Sequence, residues 1–136
     1  MAVVTAQFTD VWNSGNVDLI PEIYAKDFVG HFPGGEIHGH KGIQDVVSGH
    51  RRAFPNWTEQ IEDLLCDGDR VAVRFSSAGT NQGPNRDKPP TQRSVQISEM
   101  AIYRIVDGKI AEQWVIPDTH SLLHQLYSED GAMGSE

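Results

Sequence analysis

From Ser94 to Ile116 the chain reads as two long apolar runs joined by Asp107-Gly108, and this pair constrains the fold more than any other feature. Asp-Gly between alternating apolar runs signals a tight hairpin, because both positions accept a positive φ at little cost. The first run, Ser94 to Val106, carries Val95, Ile97 and Ala101 on one parity and Met100 and Ile102 on the other. Successive strand residues face opposite ways, so a strand apolar on both parities needs cover on both sides. The run Val71-Ala72-Val73-Arg74-Phe75 makes a similar demand, and Thr58 to Cys66 reads as a further strand before the turn Asp67-Gly68-Asp69.

The first half has a different period. Val4, Phe8, Val11 and Trp12 recur at helical spacing and stop at Ser14-Gly15-Asn16. Asp18 to Tyr24 predicts a short second helix with Pro21 in its first turn. Phe28 to Phe32 is a short apolar stretch, turned by Pro33-Gly34-Gly35. Ile43, Val46, Val47 and His50 give a third amphipathic helix over His40 to Phe54, and Thr119 to Tyr127 predicts a closing one. Asn81 to Pro90 holds turn formers and charges and reads as a loop. Helices first and hairpin-linked strands later mean α+β, with a strongly bent antiparallel sheet and N-terminal helices packed over it around a pocket.

The bulk properties narrow the function. At 136 residues we expect a single domain over 1–130 and a disordered tail over 131–136. A net charge of -8 argues against a nucleic-acid partner, and the adjacent Arg51-Arg52 reads as a solvated helix face. One cysteine, Cys66, excludes an internal disulfide framework. No apolar run approaches membrane-spanning length and no secretory leader is visible, so the expectation is a cytoplasmic protein with no membrane partner.

Asp118 is the leading candidate for chemistry. It ends the last strand, and regular alternation puts Ile110, Glu112, Trp114, Ile116 and Asp118 on one face. A carboxylate at the mouth of an apolar pocket is poorly solvated and trades protons near neutral pH. Its place after Pro117 and before a helix equally suits an N-cap. His31, between apolar neighbours at a strand end, is the second catalytic candidate, as a hydrogen-bond donor or a structural histidine. Gln96 either orients a carbonyl or faces water. Asn81 and Arg74 are further polar candidates, and Trp12, Trp114 and Met100 are candidate walls of the substrate pocket. His120 and His124 stand one helical turn apart and His38 and His40 alternate, but no His-Glu-x-x-His accompanies them and no metal is expected.

Four ordered segments carry a family resemblance. They are Trp12-Asn13-Ser14-Gly15-Asn16 with Phe28-Val29-Gly30-His31, and Gly39-His40-Lys41-Gly42-Ile43 with Ala53-Phe54-Pro55-Asn56. Ile61-Glu62-Asp63 then leads to Gly68-Asp69-Arg70-Val71-Ala72-Val73-Arg74, and Tyr103-Arg104 to Asp107-Gly108-Lys109-Ile110, Glu112, Trp114, Asp118, Leu122-Leu123 and Gln125-Leu126. Together they span roughly residues 5 to 127, and the chain resembles the SnoaL-like polyketide cyclases, or ester cyclases, of the cone-shaped NTF2-like superfamily. The resemblance implies intramolecular aldol ring closure on a small hydrophobic polyketide-like or aromatic ester substrate, with Asp118 as acid/base and no metal or organic cofactor. Related isomerase, dehydratase or hydrolase chemistry, or ligand binding without catalysis, are the alternatives. It also implies a homodimer or higher homo-oligomer. The chain departs from the family pattern at Asn81, where a histidine is frequent, at Val115, often acidic, and at Asn56, where the family usually has aspartate.

Overall fold

The structure, a computed structural model, describes residues 2–85 and 87–128. The expected tail at 131–136 lies outside the described residues. Helix α1, Ala2–Ala6, continues as a wider π-helical turn over Gln7–Asn13. A 3-10 turn, Val17–Leu19, leads into α2, Ile20–Ile23, with Pro21 at its start. Strands β1, Tyr24–Phe32, and β2, Gly35–His38, form a hairpin, followed by α3, Gly39–Ala53. Then come β3, Thr58–Asp67, β4, Arg70–Thr80, β5, Ser94–Val106, and β6, Lys109–Pro117, closed by α4, Thr119–Tyr127.

The six strands form one strongly curled, unclosed sheet in the order β2-β1-β6-β5-β4-β3, so the fold is the expected α+β cone. All neighbours are antiparallel except β1 and β6, which run parallel. Most of the chain separates those two strands, so no tight turn dictates their relative direction. The Asp107-Gly108 turn forms as expected, with φ of 52° and 77°.

The concave face holds the core. Phe75, Tyr103, Val71, Val73 and Ala101 from the sheet meet Val4, Phe8, Val11, Ile43 and Val47 from the helices. A second apolar cluster, Phe54, Trp57, Val95, Ile97, Ala53 and Leu126, occupies the other end. Gly79 makes room there: a Cβ would stand 2.8 Å from the Trp57 ring and 3.3 Å from its Cα.

Arg51 is a tie rather than a solvated charge. Its guanidinium donates to Trp12 O at 2.6 Å, Trp57 O at 3.3 Å and Pro55 O at 3.0 Å. Three chain segments end around this point, and their carbonyls need donors that helix and sheet do not supply. Gly15, with φ +71°, passes so close that a Cβ would meet Arg51 Nε at 2.7 Å.

Candidate active site

A cleft of about 1000 Å³ opens between the two apolar clusters. Trp12, Phe75 and Tyr103 line it from one, and Phe54, Trp57 and Ile97 from the other. Such a volume suits a small molecule of several rings. The polar groups that line it include Glu59, Glu99, His50 and Gln113.

Each is placed by a strand or helix with an otherwise apolar face. Glu99 belongs to the β5 parity of Val95, Ile97, Ala101 and Tyr103, and it is only 9 % exposed. Ser77, on the inner face of β4, donates to Glu99 Oε2 at 2.5 Å. Glu59 stands at the start of β3, where the Asn13 side chain grips its backbone. Asn13 Nδ2 donates to Glu59 O at 3.0 Å, and Glu59 N donates to Asn13 Oδ1 at 2.6 Å. The Trp57 indole donates to Glu59 Oε2 at 3.0 Å.

Burial disfavours charge on both carboxyls. It pushes the Glu59 pKa up to about 8, helped by the negative charge of Glu99 and opposed by the Trp57 hydrogen bond and Arg51. Glu99 is raised by burial against the lowering effect of its Ser77 bond. His50 sits among rings: Trp57 at 4.2 Å and Trp12 at 5.8 Å edge-on, and Phe54 stacked at 5.2 Å. Burial, with the charge of Arg51, holds its pKa down to about 4, so the imidazole is neutral at physiological pH.

Two buried side-chain atoms in this cleft have no partner among the described residues, His50 Nε2 and Gln113 Oε1. Leaving a buried polar atom unsatisfied costs about 1–3 kcal/mol. Both residues are therefore candidate ligand contacts.

The residues singled out from sequence lie elsewhere, with one exception. Trp12 lines the cleft. Asp118 is exposed and caps α4, accepting from Ser121 N at 3.1 Å, so the apolar surroundings expected for it are absent. It stands at the cleft rim between two lining residues, Pro117 and Thr119. Trp114 and Ile116 do not wall a pocket around it. Ile105 of β5 pairs with Ile110 while Arg104 pairs with Glu112, leaving Ala111 as an extra residue. This bulge inverts the parity beyond it. Gln113 and Val115 consequently face the cleft, and Trp114 and Ile116 face outward, Ile116 with 76 % of its surface exposed.

His31 also lies outside the cleft. Its ring stacks on Trp114 at 5.2 Å, and Nε2 meets Glu112 Oε2 at 2.7 Å. That bond, followed by Arg104, holds the Glu112 carboxyl below its ordinary range. Arg74 forks onto Asp63 Oδ2 from Nε at 2.8 Å and from Nη2 at 2.6 Å, on the outer face. Met100 faces outward as well, 59 % exposed. Gln96 is exposed, and its backbone bonds both ends of the Gln125 amide, which continues the ladder where β6 has ended. Asn81 is buried and fully engaged in closing the 81–93 loop. Its amide donates to Ala53 O and Gly83 O and accepts from Thr91 N.

The family model for SnoaL-like polyketide cyclases matches residues 2–126. The chain belongs to the SnoaL-like polyketide cyclase family. Solved members share the fold closely. A SnoaL-like protein from Jannaschia sp. CCS1 superposes with a TM-score of 0.87 at 20 % identity, over 93 % of this chain and 90 % of that one. IdmH from Streptomyces antibioticus gives 0.79 at 28 % identity, over 92 % and 96 %. A SnoaL-like polyketide cyclase from Agrobacterium tumefaciens strain C58 gives 0.77 at 23 % identity, over 91 % and 94 %. No curated protein matches the sequence. Among the described residues no helix is long and apolar enough to cross a membrane.

The sequence signal for the SnoaL-like cleft was a charged residue on an apolar parity. Glu99 interrupts Val95, Ile97, Ala101 and Tyr103, and Glu59 lies between Trp57 and Ile61. Gln113 carried no such signal, because the bulge that turns it inward is invisible to regular alternation.

Proposed function

We propose that this chain is a cofactor-independent acid/base enzyme that acts on a small hydrophobic carbonyl or ester substrate, of the polyketide-like or aromatic type, and closes a ring by intramolecular aldol addition. One observation carries the reading: two carboxyls with raised proton affinity share an apolar cleft. A carbon between two carbonyl groups is already acidic, so a positioned base and a donor for the enolate oxygen suffice. Glu99, ionised, takes the carbon proton. Glu59, protonated at neutral pH, supplies a hydrogen bond to developing negative charge. The enolate carbon then attacks the second carbonyl of the same molecule. A carbon–carbon bond forms as the carbon–oxygen π bond breaks, and the new alkoxide takes the proton back from Glu99, which is left ionised.

Asp118 as the proton shuttle is the second reading. The family resemblance suggests it, and its position between the lining residues Pro117 and Thr119 favours it. In that case its side chain leaves Ser121 N and turns into the cleft when substrate binds.

The test is solvent-deuterium exchange at the central carbon of aromatic β-keto esters, followed by ring closure of longer esters. Exchange should fall about a hundredfold or more when the true base becomes an amide. Loss in Glu99→Gln alone supports the first reading, and loss in Asp118→Asn alone supports the second. Wild-type protein that exchanges none of these esters would refute both. In the same reading a second copy of the chain covers the outer sheet face, where Met100, Ile102 and Ile116 are exposed.

A further inference from the structure

Three buried side chains form a hydrogen-bonded chain that starts in the core and ends at a residue lining the cleft. Tyr24 Oη meets Gln7 Oε1 at 3.0 Å, and Gln7 Nε2 meets Tyr103 Oη at 3.2 Å. Gln7 and Tyr24 are fully buried, and Tyr103 lines the cleft.

The direction of this chain follows from burial. Tyr24 sends its proton to Gln7 Oε1. Reversing the Gln7 amide would strand the fully buried Tyr24 proton, at a cost of about 1–3 kcal/mol, whereas Tyr103 has the cleft beside it. So Gln7 donates to Tyr103. The Tyr103 oxygen is thereby an acceptor within the chain, and no described residue accepts the Tyr103 proton.

We infer that Tyr103 donates a hydrogen bond to a ligand oxygen in the cleft, and that Tyr24 and Gln7 are positioning residues that keep the donor aimed. The inference rests on the acid/base reading and gives it an oxyanion donor: the ligand oxygen is the carbonyl that becomes the enolate. Three further observations agree. Burial holds the Tyr103 phenol well above its ordinary range, so it keeps its proton at any working pH. Glu59 and Glu99 line the same cleft as Tyr103. Its ring packs edge-on against Phe8 at 6.2 Å, which limits its swing.

The test uses 2-acetonaphthone, a flat ketone that cannot cyclise, against its hydrocarbon counterpart 2-ethylnaphthalene. Affinities and the infrared carbonyl stretch of the bound ketone are measured on the full chain. In wild type the stretch should lie at lower wavenumber than in hexane. In Tyr103→Phe it should return toward the hexane position, and ketone affinity should fall about tenfold, the worth of one neutral hydrogen bond. Affinity for 2-ethylnaphthalene should not change. A hexane-like stretch in wild type, no ketone binding, or a Tyr103→Phe protein with unaltered stretch and affinity would each overturn the proposal. If the variant fails to fold, a hexane-like wild-type stretch still overturns the proposal, and a lowered stretch that survives in Glu59→Ala supports it against the Glu59 carboxyl as the donor. Because the probe undergoes no ring closure, the outcome is independent of whether the chain turns over any ester.

Discussion

The Ser77 hydroxyl donates to Glu99 Oε2 at 2.5 Å, from the strand beside it and inside the cleft. A bond of this kind favours the ionised carboxyl and works against burial, which favours the neutral one. Ser77→Ala removes the first influence and leaves the second. The Glu99 pKa should therefore rise, and the acidic limb of the exchange-rate profile should move to higher pH with it. Side-chain carbon NMR of Glu99 across the titration checks the shift directly.

Glu59 makes stability depend on pH. Its folded pKa of about 8 lies above the ordinary value of 4.5, so folding favours the protonated form. The contribution is fully present below about pH 4.5 and is lost as pH rises toward 8. His50 has the opposite sign. Its pKa is lowered from 6.5 to about 4, so its contribution is present above 6.5 and lost as pH falls toward 4. Between pH 6.5 and 8 the His50 term is flat and the Glu59 term is not. Glu59→Gln should raise the melting temperature at pH 8, and by less at pH 6 where the loss is only partial, since the amide oxygen still accepts from Trp57. Thermal unfolding at the two pH values measures this.

Asp118→Ala removes the cap on Ser121 N, and Asp118→Asn keeps an acceptor there. The alanine variant should lose about 1 kcal/mol in denaturant unfolding and the asparagine variant a few tenths at most. This separates the capping role from any chemical one, because activity lost in the asparagine variant cannot then be ascribed to a loosened helix.

Ile116→Asp places a charge on the outer face beside Met100, its partner across the β5–β6 ladder. If a second copy covers that face, sedimentation should show the variant as a monomer at concentrations where wild type is a dimer. The variant's melting temperature at monomer-favouring dilution should match wild type, since Ile116 contributes little to the core.

The architecture was legible because its signals are local. Apolar residues at helical spacing gave the helices, and Asp107-Gly108 and Asp67-Gly68 gave the hairpins. The site was less legible because it depends on parity over long strands. Ile110 to Asp118 were read as one uninterrupted alternation, and the Ala111 bulge broke it. Asp118 was read as pocket or cap, and geometry makes it a cap at the rim. Asn81 looked like a polar group facing a ligand, yet its amide is used up by backbone partners that sequence does not place beside it. The Tyr24–Gln7–Tyr103 chain joins segments as much as 96 positions apart, and no spacing rule connects them.

The single supernumerary residue at Ala111 acts as a hinge in the alphabet of the final strand. Deleting it would send Glu112, Trp114 and Ile116 into the chamber and expel Gln113 and Val115 in one step, without altering any letter that follows. A one-codon length change can thus exchange an entire wall, a route to new ligands that point substitution reaches only through many separate replacements.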